Sequence, residues 1–116
     1  MSVPKELTSE DLATLARLTE TIEARRSDPP DASYTAALLA KGTAHCARKF
    51  GEEAVETIIA GTDTDKQALC NEAADTVYHL LVLLAAHDLS LGDVTKVLAA
   101  REGTSGHHEK ASRPKS

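Results

Sequence analysis

The stretch DTDKQALCNEAADTVYHLLVLLAAH, residues 63–87, decides the fold. It contains no Gly and no Pro, so nothing inside it interrupts a helix. Asp63 or Thr64 is placed to start that helix, and the pattern carries it to about His87 as the longest element of the chain. At about 100° per residue, Leu69, Ala73, Val77, Leu80 and Leu84 form an apolar stripe, while Glu72, Asp75 and His79 share the opposite face. Leu80 to Ala86 is the most apolar run, well short of the roughly 20 residues of a membrane span.

Working toward the N-terminus, a third helix is expected from about Thr43 to Ala60, closed by Gly61 as its C-cap. Ala47, Phe50, Ala54 and Ile58 form its apolar stripe, and Lys49, Glu52, Glu53 and Glu56 lie on the other side. Ser33 caps a short second helix ending near Lys41-Gly42. Ser9 caps a first helix through Leu12, Leu15, Leu18 and Ile22, with Arg25 and Arg26 suiting its C-terminal dipole before Pro29-Pro30 stops it. Toward the C-terminus, Ser90-Leu91-Gly92-Asp93 reads as a capping box that opens a fifth helix through Val94, Val97 and Leu98. Residues 1–8 and 103–116 read as flexible ends. No period-2 alternation suggests a strand. The expectation is one all-α domain over residues 1–116, a bundle of about five helices.

The chain has 116 residues, of which 41% are hydrophobic and only 3% aromatic, so its core must be built from Leu, Ile, Val and Ala. A helical chain of this size often completes its core with a second copy, so a homodimer is expected. The net charge of −5 argues against a general nucleic-acid binder but not against a phosphate substrate, because divalent ions invert the sign of a carboxylate cluster. Cys46 and Cys70 show no ligand spacing and read as reduced, small apolar residues of a cytoplasmic protein. Glu6, Glu10 and Asp11 and the lack of an apolar run rule out a signal peptide at this end, and no membrane association is expected.

Two antiparallel helices joined by a short turn around Gly61–Asp63 can bring their acidic faces together. Glu53/Glu56 and Glu72/Asp75 are i,i+3 pairs and Glu52/Glu56 is i,i+4, which sets neighbouring carboxylates about 5–6 Å apart at Cβ. Like charges at that spacing repel, which calls for a compensating cation. An all-oxygen set favours Mg²⁺, with Mn²⁺ as a substitute, over zinc. Such an ion suits cleavage of a phosphoanhydride, with a carboxylate taking the proton of the attacking water. Acidic residues at helical spacing also make an ordinary solvated face, and the residues alone leave both readings standing.

Six segments occur in order: Ser33-Tyr34-Thr35, Leu38-Leu39-Ala40-Lys41-Gly42, Lys49-Phe50-Gly51-Glu52-Glu53-Ala54-Val55-Glu56, Glu72-Ala73-Ala74-Asp75, Tyr78-His79 with the apolar run to Ala86, and Glu109-Lys110-Ala111-Ser112-Arg113. Together they resemble the phosphoribosyl-ATP pyrophosphohydrolase family of histidine biosynthesis, which belongs to the all-α, MazG-type nucleotide pyrophosphatases. The resemblance covers residues 12–113. It implies Mg²⁺-dependent hydrolysis of 1-(5-phosphoribosyl)-ATP to 1-(5-phosphoribosyl)-AMP and pyrophosphate by a homodimer of helical bundles. It also implies Glu52, Glu53, Glu56, Glu72 and Asp75 as metal-site residues, with Glu53, Glu56, Glu72 and Asp75 carrying catalysis. Residues 1–11 and His107-His108 have no counterpart in the pattern; neither touches the acidic clusters.

A polyphosphate substrate needs positive charge beyond the metal. Lys49, Lys41 and Arg48 lie beside the acidic run, although Lys49 is also placed to pair with Glu53 at i,i+4. Ser33 is a cap or a substrate contact, and Tyr34 follows it. In the basic tail, Lys110 and Arg113 are expected to fold over bound nucleotide, with Arg113 offering a bidentate phosphate contact. His79 is expected to hydrogen-bond a ligating carboxylate. Two rivals remain: a house-cleaning nucleoside triphosphate pyrophosphatase, and a non-catalytic helical dimerisation module.

Overall fold

A computed structural model describes residues 6–103, which form five helices in order: α1 (Ser9–Arg25), α2 (Tyr34–Ala40), α3 (Thr43–Gly61), α4 (Lys66–Ala86) and α5 (Leu91–Ala100). There is no strand among the described residues, as the all-α expectation required. Nearly all of the tail expected to be flexible, including Lys110 and Arg113, lies outside the described residues, as do residues 1–5.

The helix ends correct several expectations. Thr8, not Ser9, caps α1: its hydroxyl accepts from the Asp11 N–H at 3.0 Å while the Asp11 carboxylate accepts from the Thr8 N–H at 2.9 Å. Thr8 is therefore ordered by its cap rather than part of a flexible end. Ser33 caps α2 as expected, accepting from the Ala36 N–H at 3.0 Å. Gly61 is the last residue of α3 and Thr62 its C-cap. Positive φ falls instead on Gly42, at +94°, which lets α2 turn directly into α3, as well as on Asp88 and Gly103 after α4 and α5. α4 starts two to three residues later than expected, because the Asp65 side chain accepts from the Ala68 N–H and Asp63 instead accepts from the Thr64 N–H. At α5, the Asp93 carboxylate accepts from the Ser90 N–H at 2.9 Å, as the capping-box pattern implied.

The buried apolar set joins four helices through Ile22 of α1, Leu38 of α2, Cys46 of α3, and Leu81, Val82 and Ala85 of α4. The Cys46 thiol donates to the Leu38 carbonyl oxygen at 3.3 Å, tying α2 to α3. Cys70, expected to behave as an apolar residue, is exposed. The expected apolar stripes are misphased. Ala47 and Ile58 of α3, and Leu69 and Val77 of α4, are exposed, whereas Leu81, Val82 and Ala85 take the centre. The physical reason lies in the run Leu80 to Ala86, which is apolar all round and gives no phase to read. Arg26 is also placed differently. It forms the C-cap of α1, and its guanidinium donates to the Ala85 carbonyl oxygen at 2.7 Å and to the Asp88 carboxylate. Its charge thus serves the C-terminus of α4. No single helix among the described residues is long and apolar enough to cross a membrane.

Candidate active site

α3 and α4 pack as an antiparallel hairpin over a connection of four residues, 62–65. A pair of threonines pins it. The Thr57 and Thr76 hydroxyls are hydrogen-bonded to each other at 2.6 Å, and both lie within reach of the backbone carbonyl oxygen of Glu53, at 3.1 and 3.0 Å, which accepts from the hydroxyl whose proton is free. That clasp fixes the turn of α3 carrying Glu53 against the turn of α4 between Glu72 and His79. Sequence reasoning missed both threonines; their only signal is a hydroxyl placed between the two acidic motifs, at i+4 from Glu53 and i+4 from Glu72.

Above the clasp, Glu53, Glu72 and Asp75 each place a carboxylate oxygen within 4.8 Å of the others. Glu53 and Glu72 are partly buried and Asp75 is exposed. Among the described residues, no ion pair reaches these three carboxylates. Burial pushes the Glu72 carboxyl above its ordinary value, and the charges of Asp75, Glu56 and Glu53 add to the rise. A clustered, partly desolvated, all-oxygen set without a cationic partner fits a hard divalent ion.

The rise at Glu72 has a definite sign in stability. A carboxyl raised in the fold stabilises the protein while protonated, and that contribution is lost as pH rises through its folded value. Without divalent ions, Glu72→Gln is therefore expected to raise the melting temperature at pH 7. The gain should shrink as pH falls and disappear below the ordinary value of 4.5. A calorimetric pH series on both proteins checks this, and a lower melting temperature for the variant at pH 7 would contradict it.

The other acidic candidates sit around this group. Glu56 lies outside the three-carboxylate cluster but close enough for its charge to act on Glu72. Glu52 turns toward Lys49, with Nζ 3.6 Å from its carboxylate, so the lysine pairs at i,i+3 and not with Glu53 as the spacing suggested. The reason is that Glu53 is drawn into the α3–α4 crevice. The expected cations gather around His45: Lys41, the C-cap of α2, and Arg48 and Lys49 of α3 all act on its imidazole. Arg48 donates to His45 Nδ1 at 3.1 Å. Desolvation first, and then these three charges, hold the imidazole below its usual range against the opposing charge of Glu52.

His79 does not sit on a solvent face. It is buried at 5% exposure, and desolvation lowers its pKa although Glu53, Asp75 and Glu52 lie near enough to oppose that shift. Its ring packs edge-on against Tyr78, with centroids 5.0 Å apart, and Tyr34 closes the group from the start of α2. Tyr78 was not among the expected site residues; its position three residues after Asp75 is the signal that marks it.

The chain matches the family model described as phosphoribosyl-ATP pyrophosphohydrolase over residues 15–102. It is 58% identical to the phosphoribosyl-ATP pyrophosphatase of Cereibacter sphaeroides (strain ATCC 17029 / ATH 2.4.9) over 102 residues, covering 88% of this chain and 99% of that protein. It is 60% identical to the protein of the same description from Paracoccus denitrificans (strain Pd 1222) over 99 residues, covering 85% and 92%. A third such relative, from Dinoroseobacter shibae, is 57% identical over 102 residues, covering 88% and 100%.

Proposed function

The chain belongs to the phosphoribosyl-ATP pyrophosphohydrolase family, and from that premise we propose that it converts 1-(5-phosphoribosyl)-ATP and water to 1-(5-phosphoribosyl)-AMP and pyrophosphate in histidine biosynthesis, using Mg²⁺ held between α3 and α4. The observation that carries the assignment to the acidic crevice is the convergence of Glu53, Glu72 and Asp75 within 4.8 Å. These three are the ligands, with Glu52 and Glu56 at the margin of the site. A bound divalent ion supplies charge neutralisation at phosphate oxygens and acidifies water. Glu56, not committed to the cluster, is the carboxylate available to accept the proton of the attacking water. As the water oxygen bonds to phosphorus, the bridging P–O bond breaks and pyrophosphate leaves.

Lys41, Arg48 and Lys49 supply the positive field that draws a polyphosphate into an acidic protein, and Lys110 and Arg113 of the tail add to it. Ser33 and Tyr34 stand on the substrate side at the start of α2. The Thr57–Thr76 clasp holds the two halves of the acidic set in register.

The working form is a homodimer in the cytoplasm. Support for the dimer comes from Val55, Ile58 and Ile59 of α3 and Leu69 and Val77 of α4, aliphatic side chains left exposed on the hairpin that carries the site. With seven buried apolar residues among those described, the chain gains a larger core by covering the exposed ones with a second copy.

Pyrophosphate release from phosphoribosyl-ATP, ATP and deoxynucleoside triphosphates, measured side by side in Mg²⁺, tests the substrate. The expected kcat/KM is at least about a hundredfold higher for phosphoribosyl-ATP, the scale on which a site discriminates by groups it contacts. Equal or faster hydrolysis of the ordinary triphosphates would make it a house-cleaning enzyme instead.

A further inference from the structure

The chain has no Trp, two Tyr and one Phe. In so aromatic-poor a protein, both tyrosines meet at one place, beside the acidic crevice. Tyr34, at the first position of α2, and Tyr78, in the middle of α4, have ring centroids 6.4 Å apart and planes 19° from parallel. The buried His79 meets both rings edge-on, at 6.2 Å from Tyr34 and 5.0 Å from Tyr78.

The inner part of this layer is fixed. Tyr78 is partly buried, and its hydroxyl is hydrogen-bonded to the Thr35 hydroxyl at 2.5 Å. Tyr34 is held from two sides: its backbone by the Ser33 cap, its ring by stacking on Tyr78. Even so, Tyr34 remains 58% exposed. An aromatic ring that is both immobilised and open to solvent loses little freedom when something flat lies against it. The Tyr78 hydroxyl already has its partner, so the free surface of the layer is the π-face of Tyr34.

What lies next to that face identifies its occupant. His79 is one turn beyond Asp75, and the charges of Glu53, Asp75 and Lys49 act on its imidazole. The ring layer and the acidic cluster thus meet on consecutive turns of α4, through Tyr78 and His79 on one side and Glu72 and Asp75 on the other, one suited to a flat ring and the other to a metal-bound polyphosphate. A nucleotide joins those two chemistries in one molecule.

We propose that Tyr34 is the stacking platform for the purine of the substrate and that it contributes to the choice of an N1-substituted adenine over adenine itself. This rests on the substrate reading given above. A ribosyl substituent on N1 takes up that nitrogen's lone pair and leaves the ring system more electron-poor. An electron-poor π-system stacks more favourably on the negative face of a phenol ring than an unsubstituted adenine does. Tyr34 therefore acts in recognition, not in the chemical step.

Steady-state kinetics on Tyr34→Leu, Tyr34→Phe and the wild type test this. Leucine keeps apolar surface and removes the π-face, and the position is exposed, so the variant is expected to fold. Loss of one base–aromatic stack should raise KM for phosphoribosyl-ATP about 5- to 150-fold. kcat should change little, the pattern of lost uniform binding. Tyr34→Phe should restore most of the affinity, and the inhibition constant of ATP should move less than the KM of phosphoribosyl-ATP. A Tyr34→Trp variant, whose tryptophan is the only one in the chain, adds a readout without turnover. Its emission should change on titration with phosphoribosyl-AMP.

Unchanged KM in Tyr34→Leu with an active wild type would overturn this inference and leave the substrate reading intact. So would saturable phosphoribosyl-AMP binding without a change in tryptophan emission, or a KM rise that tracks a change in molar mass and so assigns the ring to a contact between copies. A wild type that releases no pyrophosphate from phosphoribosyl-ATP would overturn both.

Discussion

Replacing Glu53 with glutamine is expected to lower kcat for pyrophosphate release by about a thousandfold or more, because transition-state charge stabilisation by a bound ion amounts to several kcal/mol and each 1.36 kcal/mol is tenfold. Glu53 is the sharpest choice among the acidic residues. Its backbone carbonyl is held by Thr57 and Thr76, and its side chain is the only α3 contribution to the three-carboxylate cluster. Glutamine keeps the shape and removes the charge. Relief of repulsion with Glu72 should leave the metal-free melting temperature unchanged or higher, so a loss of rate cannot be ascribed to unfolding. Circular dichroism and calorimetry beside the kinetic assay separate the two. A variant retaining more than a tenth of the wild-type rate would remove Glu53 from the metal site.

The second large effect concerns assembly. Ile58 is 66% exposed, next to Val55 and Ile59 on the same hairpin. Ile58→Asp should therefore leave the single chain folded while disrupting the proposed contact between copies. Burying one such side chain is worth roughly 1.5–3 kcal/mol. A twofold contact counts each change twice, so the dimer should weaken by at least about 3–6 kcal/mol, roughly a hundred- to ten-thousandfold in Kd. Sedimentation velocity at micromolar concentration reads this directly. A wild type that sediments as a monomer, or a variant as dimeric as the wild type, would contradict it.

Much of the architecture is legible in the sequence because its punctuation is local. Ser33 before α2, Ser90 and Asp93 at α5, and Pro29-Pro30 after α1 act within a few residues of themselves. The errors arise where two local signals compete or where longer-range packing decides. Thr8 and Ser9 are both competent caps, and the choice falls to Thr8 because Asp11 completes its box. The phase of α4 cannot be read from an all-apolar run; it is set by Ile22 and Leu38 arriving from other helices.

The acidic motifs show the same division. Their spacing pairs Glu53 with Glu56 and Glu72 with Asp75 and lets the two faces converge, yet it places them opposite the core, when Glu53 and Glu72 are partly buried. Helical projection assumes that charge faces water, and the packing of α3 on α4 breaks that assumption at Glu53 and Glu72. The tyrosine layer was illegible for a different reason. Tyr34 and Tyr78 are 44 residues apart, and only the packing of α2 on α4 brings their rings together.

Thermal unfolding of the wild type and of Asp75→Asn across a Mg²⁺ series tests the metal site most directly, since it needs neither substrate nor turnover. An ion that binds only the folded state at ten times its Kd adds about 1.4 kcal/mol, a shift of several degrees in a domain of this size. The wild-type melting temperature should climb with Mg²⁺, while Asp75→Asn starts level or higher and stays nearly flat. Equal shifts in the two proteins, or none in the wild type, would contradict a divalent ion held by Glu53, Glu72 and Asp75.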